Sequence, residues 1–345
     1  MTDITIRKAG KAGRITLTRP KALNALTHAM CMEIRAALAA WRDDPAIALV
    51  LIDAEGERAF CAGGDVAQVY RLAQAGSPDE GREFWADEYR MNAMLAEYPK
   101  PVVALMQGFV MGGGVGLGCH VAHRVVGETV QMAMPEAGIG LIPDVGGTLL
   151  LARAPDRIGE YLGLTAARMG PGDAIHAGFA DHFVPMADWP ALIAALCETG
   201  DAVLVADAAR TPEPGMLAGQ GAEIAAAFAG ADVAAILAVV SALDAPWAVQ
   251  ATAAMRRNSP LSMAATLALL RGLGPGADIR AALIREYRFT WRASEAGVTD
   301  FSEGVRAQII DKDRNPRWSH AHPGDVTAAE VAAVLAPLGA MDLWF

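Results

Sequence analysis

The pattern strand, glycine loop, helix occurs twice in this chain, over residues 48–70 and 102–122, and it restricts the fold more than any other feature of the sequence. Each copy opens with an apolar run of strand length, IALVLID at 47–53 and PVVALMQG at 101–108. Continuous apolar runs of this length predict strands that are buried on both faces. Two copies are too few for a solenoid. They predict stacked strand–helix units that carry a glycine loop at the same end of each unit.

The remaining patterns place these units in an α/β chain. Residues 4–7 and 14–18 alternate apolar and polar around the turn AGKAG, which predicts a β-hairpin. Beyond residue 150 the chain becomes alanine-rich and helical in its patterning. We therefore expect a core domain over residues 1–190 and a mainly helical region over residues 191–345.

Composition excludes several classes of function. Of the 345 residues, 53% are hydrophobic, and the formal net charge is −10. Binding to phosphate backbones needs a basic face, so nucleic acid is not an expected partner. The most membrane-like run, residues 102–119, contains Gln107 and several glycines, which predicts a strand, a loop and a helix start rather than a membrane span. The start MTDITIRKAG has no signal-peptide pattern, so we expect a cytoplasmic protein that does not bind membranes.

Two glycine-rich segments contain candidate backbone hydrogen-bond donors. In CAGGD, residues 61–65, the N–H of Gly64 is a candidate donor to a ligand oxygen, because a side chain there would block the approach. A turn that requires positive φ is the alternative explanation. MGGGVGLG, residues 111–118, matches neither the dinucleotide-binding fingerprint nor the P-loop. Glycines at a helix start still direct an N–H at a developing negative oxygen, and one donor from each loop would form an oxyanion hole.

Two carboxylates follow the second glycine loop in apolar surroundings. Glu136 comes directly after Met134 and Pro135, and Asp144 lies in LIPDVGG. Apolar surroundings raise the pKa of a carboxyl group and make it a usable acid or base near neutral pH. A helix cap for Glu136 and a turn residue for Asp144 are the alternatives. Placed beside a donor site built from glycines, the pair indicates an active site.

The histidines and cysteines indicate no rival chemistry. The histidines have no G-x-S-x-G serine and no cysteine partner in the sequence. The four cysteines form no C-x-x-C pair, so neither a zinc site nor a disulfide framework is expected. Cys61 and Cys119, beside the glycine loops, are expected to be small core residues. We therefore expect no metal.

Several motifs together are similar to those of the crotonase, or enoyl-CoA hydratase/isomerase, superfamily. They are RPKALNAL, AFCAGGD, PVVALMQGFVMGGGVGLG and AMPEAGIGLIPDVGG. NSP, EYR and FSEGVRAQIIDKDRNPRW extend the resemblance, from about residue 14 to the C-terminus, to the 3-hydroxyisobutyryl-CoA hydrolase subfamily. The resemblance implies an α/β fold, a crotonase-like spiral of ββα units with CoA along its outer rim. It also implies a helical C-terminal region that completes the acyl-CoA site.

The resemblance assigns roles to individual residues. It implies Gly64 and Gly113 as the backbone oxyanion donors, Glu136 as the main catalytic carboxylate and Asp144 as its partner. Glu88, in the sequence DEY, matches a substrate-contacting position. The residues implied to meet the adenine and pantetheine of CoA are Ala62, Gly63 and Asp65. Superfamily members often form trimers or hexamers, which leaves a homo-oligomer open for this chain.

One departure from the hydratase pattern distinguishes between reactions. Typical hydratases carry a second glutamate at the position of Gly116, and their usual residue at the position of Asp144 is glycine. The resemblance therefore implies hydrolysis of a short branched or β-hydroxy acyl-CoA thioester, above all 3-hydroxyisobutyryl-CoA in valine degradation. CoA is then part of the substrate, and no separate cofactor is expected. Two alternatives remain. The first is an enoyl-CoA hydratase or Δ3,Δ2-enoyl-CoA isomerase, and the second is a non-catalytic acyl-CoA-binding protein. Whether Glu136 acts as base or nucleophile stays open.

Overall fold

The computed structural model describes residues 3–274 and 276–345. Within them the chain forms two compact units, and each unit is assembled from three separate segments. The first unit contains the residues up to 64 together with 87–133 and 168–219. The second contains 65–86, 134–167 and 220–345. The units therefore do not follow the order of the chain.

The strands in the described residues belong to the first unit. They are β1 Ile4–Ala9, β2 Ala12–Leu17, β3 Leu49–Ala54, β4 Ala59–Cys61, β5 Val102–Met106, β6 Phe109–Met111, β7 His123–Val126, β8 Gln131–Ala133 and β9 His182–Phe183. β1 and β2 form the predicted hairpin, with Ile4 opposite Leu17. The other pairs of strands are parallel.

The strand order shows how the chain winds. The larger sheet has the order β1-β2-β3-β5-β7-β9, and the smaller sheet has the order β4-β6-β8. The chain thus leaves each of β3, β5 and β7 to add a short strand to the smaller sheet before it returns to the larger one. Successive strands advance in one direction through both sheets. This confirms the α/β fold and the spiral of ββα units that the resemblance implies.

Helices connect and extend these strands. They are α1 His28–Trp41, α2 Val66–Gln74, α3 Pro78–Ala96, α4 Gly113–Gly118, α5 Gly147–Arg153, α6 Ile158–Thr165, α7 Pro171–His176, α8 Trp189–Thr199, α9 Val203–Ala208, α10 Leu217–Ala227, α11 Val233–Val240, α12 Pro246–Arg257, α13 Pro260–Gly272, α14 Ile279–Ala293, α15 Phe301–Val305 and α16 Ala328–Val334. None of the helices in the described part of the chain combines the length and the apolar character of a membrane span.

One part of the core of the first unit lies between the larger sheet and α8. Alternate residues of β3 and β5, such as Leu49 and Val103, are fully buried on the sheet face that packs against Trp189 and Leu196. Burial of this apolar surface is the main favourable term in folding. The continuous apolar runs of the sequence are therefore the central strands, as predicted.

Local signals set the helix starts in the second unit. The Ser259 side chain accepts a hydrogen bond from the Ser262 N–H, and Pro260 follows at the first position of α13. Asp278 caps α14 in the same way by accepting from the Ala281 N–H. α13 packs against α5 and α6, and α14 packs against α5. These contacts place the C-terminal helices beside the segment that carries both candidate carboxylates.

Candidate active site

The first glycine loop is held by the segment that precedes α1. The Leu26 N–H donates to the Gly63 carbonyl at 2.9 Å, and the Ala62 N–H donates to the Leu23 carbonyl at 3.0 Å. The Asn24 side chain is fully buried and donates to the Ala59 carbonyl at 2.9 Å. The motifs RPKALNAL and AFCAGGD therefore form one hydrogen-bonded structure. Gly63 has φ +115°, so the need for a positive φ in this turn explains why residue 63 is a glycine.

The second glycine loop meets the first at Gly113. Helix α4 begins at this residue, so its N–H belongs to the first turn and has no acceptor inside the helix. A Cβ on Gly113 would lie 3.1 Å from the Gly64 backbone nitrogen and 2.6 Å from Glu88 Oε1. The fold thus brings the two predicted donor positions and the Glu88 carboxylate together. A side chain at Gly113 would therefore displace the Glu88 carboxylate and press on the first glycine loop.

The cysteines beside these loops are core residues. Cys61 and Cys119 are buried, and burial raises the pKa of both thiols to about 12. Burial also raises the pKa of the Cys31 thiol, and the Glu88 carboxylate adds to this effect. Thiols of this kind are protonated at neutral pH and are poor nucleophiles. The prediction of small core residues is confirmed for Cys61 and Cys119.

The residues implied to meet CoA lie around the end of β4. Ala62 and Asp65 are half-buried, and Gly63 is buried. Asp65 directly precedes α2 and occupies its N-cap position. Contact of these three residues with CoA stays a prediction.

In the second unit, Glu136 opens the short 3-10 helix Glu136–Ile139. The residue is 4% exposed, and its Oε2 is buried without a hydrogen-bond partner among the described residues. A helix-capping carboxylate would use its oxygens to accept backbone N–H groups, so capping does not explain this oxygen. Burial raises the pKa of Glu136 well above its ordinary 4.5, and the charges of Asp144 and then Glu286 raise it further.

Asp144 begins a tight turn with an unusual backbone. Its carbonyl accepts the Gly147 N–H at 2.6 Å, and the two residues between them, Val145 and Gly146, have φ of +53° and +81°. The turn explanation is therefore correct for the Asp144 backbone. Its side chain is 5% exposed and interacts electrostatically with Glu136. The fold thus brings the two predicted carboxylates together.

A third carboxylate, Glu286 of α14, lies in the same cluster and is fully buried. It accepts the Gly146 N–H at 2.8 Å, the Thr148 N–H at 3.0 Å and the Thr148 hydroxyl. Burial raises the pKa of Glu286 to about 8, an effect that the hydrogen bonds from Thr148 and Gly146 oppose and the Asp144 charge reinforces. Carboxyl groups with raised pKa values are suited to acid–base or nucleophilic chemistry near neutral pH.

Comparison with known proteins identifies the family to which the chain belongs. The sequence profile of the enoyl-CoA hydratase/isomerase family matches residues 12–335. The chain belongs to this family. It is 38% identical to the mitochondrial 3-hydroxyisobutyryl-CoA hydrolase of Xenopus tropicalis, over 99% of this chain and 90% of that protein.

Two solved structures of the family are similar over the whole chain. One, described as an enoyl-CoA hydratase from Rhodobacter sphaeroides 2.4.1, is 60% identical with a TM-score of 0.96 and covers 100% of both chains. The other, described as a carnitinyl-CoA dehydratase from Mycobacterium thermoresistibile, is 42% identical with a TM-score of 0.94, and covers 100% of this chain and 99% of that chain. The relatives share the fold and differ in the reaction that they are named for.

Two family motifs whose roles the sequence did not reveal hold the Glu136 turn. In NSP, the Ser259 N–H donates to the Ala137 carbonyl at 2.9 Å, and the Ser259 hydroxyl donates to Asp300 at 2.6 Å. In FSEG, a Cβ on Gly304 would lie 2.2 Å from the Ile139 carbonyl. Both motifs therefore position the residues that directly follow Glu136.

Glu286 was missed, although the sequence contains a signal for it. Helix α14 has four arginines and a single acidic residue, Glu286, which lies between Arg285 and Tyr287. Its apolar positions Leu283, Phe289 and Ala293 are buried, and Glu286 lies among them at helical spacing. A charged residue on the apolar stripe of a helix must find buried partners, because an unpartnered buried charge is very costly. The sequence does not show which partners these are.

Proposed function

We propose that this family member hydrolyses the thioester of a short branched or β-hydroxy acyl-CoA, with 3-hydroxyisobutyryl-CoA as the first candidate. The observation that carries the proposal is Asp144, a buried carboxylate that interacts with Glu136 at a position where hydratases usually have glycine. Gly116 supports it, because α4 then carries no acid for the addition of water to a double bond. The similarity to the hydrolase of Xenopus tropicalis supports the same reaction.

In the proposed reaction, the two glycines stabilise the thioester carbonyl oxygen and the two carboxylates act on water and the acyl group. The N–H groups of Gly64 and Gly113 donate to the thioester carbonyl oxygen as it becomes negative. Ionised Glu136 either removes a proton from water, which attacks the carbonyl carbon, or attacks that carbon itself to give an anhydride that water then cleaves. The carbon–sulfur bond breaks, and the CoA sulfur takes up the proton that water gives up, so CoA leaves as a thiol. Asp144 orients the water or the substrate hydroxyl. Loss of one oxyanion donor of this kind costs about 3 kcal/mol of transition-state stabilisation.

One assay separates the proposal from its alternatives. A thiol reagent follows CoA release from the isobutyryl, 3-hydroxyisobutyryl, 3-hydroxypropionyl and crotonyl thioesters. We expect thiol from the 3-hydroxyisobutyryl thioester. Loss of crotonyl-CoA absorbance without thiol would instead indicate a hydratase, as the solved relative from Rhodobacter sphaeroides is described. Binding without any turnover would indicate an acyl-CoA-binding protein.

Substitution of Glu136 tests the assigned carboxylate. Glu136→Gln should lower kcat by about 100- to 10,000-fold, because the amide neither takes up a proton nor attacks a carbonyl. The affinity for CoA should be retained. Glu57→Gln, at an exposed glutamate, is the matched control and should leave turnover as it is. Turnover by Glu136→Gln near the wild-type rate would refute the assignment.

Isotope labelling tests the version of the mechanism in which Glu136 forms an anhydride. A single turnover in 18O-labelled water, followed by mass spectrometry of the peptide that contains Glu136, places label in the carboxylate if an anhydride forms and water cleaves it at the Glu136 carboxyl carbon. An unlabelled carboxylate, with label in the released acid, would contradict that route and show that water attacks the acyl carbon. The two outcomes exclude each other in one sample.

A further inference from the structure

The turn that carries Asp144 needs external support. Val145 has φ +53°, a left-handed conformation in which a β-branched side chain is a genuine outlier. Strained backbone of this kind persists only where the surrounding structure fixes it. Within the turn, the Gly147 N–H donates to the Asp144 carbonyl at 2.6 Å. The turn is followed at once by α5.

Glu286 supplies that support from α14, 142 positions after Asp144 in the sequence. Its Oε2 accepts the N–H of Gly146, the residue directly after Val145. Its Oε1 accepts both the N–H and the hydroxyl of Thr148, in the first turn of α5. The carboxylate therefore binds the backbone after the strained residue through both of its oxygens.

We propose that Glu286 is a positioning residue for Asp144: its carboxylate fixes the strained turn and the start of α5, and so sets where the Asp144 side chain stands during hydrolysis. The inference rests on the proposed function, because it requires Asp144 to act in that reaction. A role in packing alone would be served by an apolar side chain, without the cost of burying a charged group. Three hydrogen bonds donated to one carboxylate are typical of a residue that fixes the conformation of the backbone around it.

A double-mutant cycle tests whether Glu286 acts through Asp144. Glu286→Gln keeps the shape of the side chain but places an amide NH2 against one of the backbone N–H donors. We expect kcat to fall by about 100-fold, the effect of misplacing a reacting group by about 1 Å. In an Asp144→Asn background the same change should cost less than about threefold. Equal losses in the two backgrounds, or no loss in the wild-type background, would overturn the proposal.

A matched pair at Thr148 covers the case in which Glu286→Gln fails to fold. Thr148→Val removes the hydroxyl donor and keeps the volume, whereas Thr148→Ser keeps the hydroxyl and removes a methyl group. If the hydrogen bond to Glu286 matters, Thr148→Val lowers kcat by about tenfold, as loss of one buried hydrogen bond does, and Thr148→Ser retains most of the activity. The reverse order would show that Thr148 contributes only packing, and the proposal would fall.

Hydrogen exchange gives a readout that does not depend on turnover. The peptide over residues 144–149 should exchange faster in Glu286→Gln and Thr148→Val, and exchange elsewhere in the chain should stay as in the wild type. Faster exchange throughout the chain would indicate general destabilisation and contradict a positioning role. A wild-type enzyme that releases no thiol would refute the proposed function instead, while exchange would still report whether Glu286 holds the turn.

Discussion

At the scale of single residues, the second unit keeps three carboxylates in one buried cluster. Glu136, Asp144 and Glu286 are each at most 5% exposed. Burial disfavours the charged form of a carboxyl group, and neighbouring negative charges disfavour it further. A cluster that was selected for stability alone would lose nothing by exchanging these groups for apolar ones. The arrangement is therefore best explained by chemistry that needs a carboxyl group with a raised pKa, as burial gives Glu136.

The raised pKa of Glu136 predicts the pH dependence of hydrolysis. The ionised carboxylate is the reactive form in both versions of the mechanism, so kcat/KM should fall as the pH drops below its pKa. Because burial raises that pKa well above 4.5, the acidic limb should lie well above pH 4.5. Asp144→Asn removes a negative charge that raises the pKa, so the remaining activity should have its limb at lower pH.

The measurement is a profile of kcat/KM from pH 4.5 to 9 for the wild type and Asp144→Asn, with thiol release as the readout. A wild-type limb near pH 4.5 would contradict the burial argument. A limb that moves to higher pH in Asp144→Asn would contradict the electrostatic coupling of the two carboxylates.

At the scale of secondary-structure elements, a short 3-10 helix carries Glu136 and is fixed by motifs more than 100 residues away. Ser259 donates to the Ala137 carbonyl, and Gly304 lies against Ile139. The N-cap of α13 is a local feature, in which Ser259 accepts the Ser262 N–H and Pro260 follows, so neighbouring residues suffice to predict it. The sequence did not predict what Ser259 and Gly304 hold, since long-range contacts leave no periodic signal in a single sequence.

A pair of glycine substitutions tests this support. Gly304→Ala would place a Cβ 2.2 Å from the Ile139 backbone, so the 3-10 helix must move. We expect the free energy of unfolding to fall by about 1–3 kcal/mol, as overpacking does, together with a loss of kcat. Gly219→Ala in α10 meets nothing within 4 Å and is the control. It should leave kcat as it is and raise the free energy of unfolding by up to about 1 kcal/mol.

Denaturant unfolding and steady-state kinetics on both variants provide the measurements. If Gly304→Ala matches Gly219→Ala in stability and kcat, the contact between α15 and the Glu136 turn has no energetic importance.

At the scale of the whole molecule, the repeated pattern predicted stacked strand–helix units, because strand length and glycine position are local properties. The ββα spiral itself was implied by the resemblance to the crotonase superfamily. The compact units were harder to predict. Each unit combines three segments from distant parts of the chain, and residues 134–167 belong with 220–345. The division at residue 190 that the sequence suggests relies on the helical patterning of the C-terminal part of the chain, which carries no information about tertiary packing.

Truncation at that boundary provides a test. A fragment of residues 1–190 keeps α5 and α6 but lacks α13 and α14, against which they pack. We expect limited proteolysis to cut the fragment within residues 134–167 under conditions in which the full chain resists. A fragment that unfolds cooperatively and resists protease as the full chain does would instead establish residues 1–190 as an independent domain.

The buried cysteines have a practical consequence for the assays that follow CoA release with a thiol reagent. Cys31, Cys61 and Cys119 are buried, Cys197 is half-buried, and burial raises the pKa of all four thiols. Because disulfide-exchange reagents react with thiolates, the folded chain should contribute little to the signal that reports CoA release. An unfolded chain exposes all four thiols at once. Each turnover assay therefore also reports how much of the variant is unfolded. Unfolded chains give an initial burst of thiol signal that scales with enzyme concentration, up to four thiols per chain.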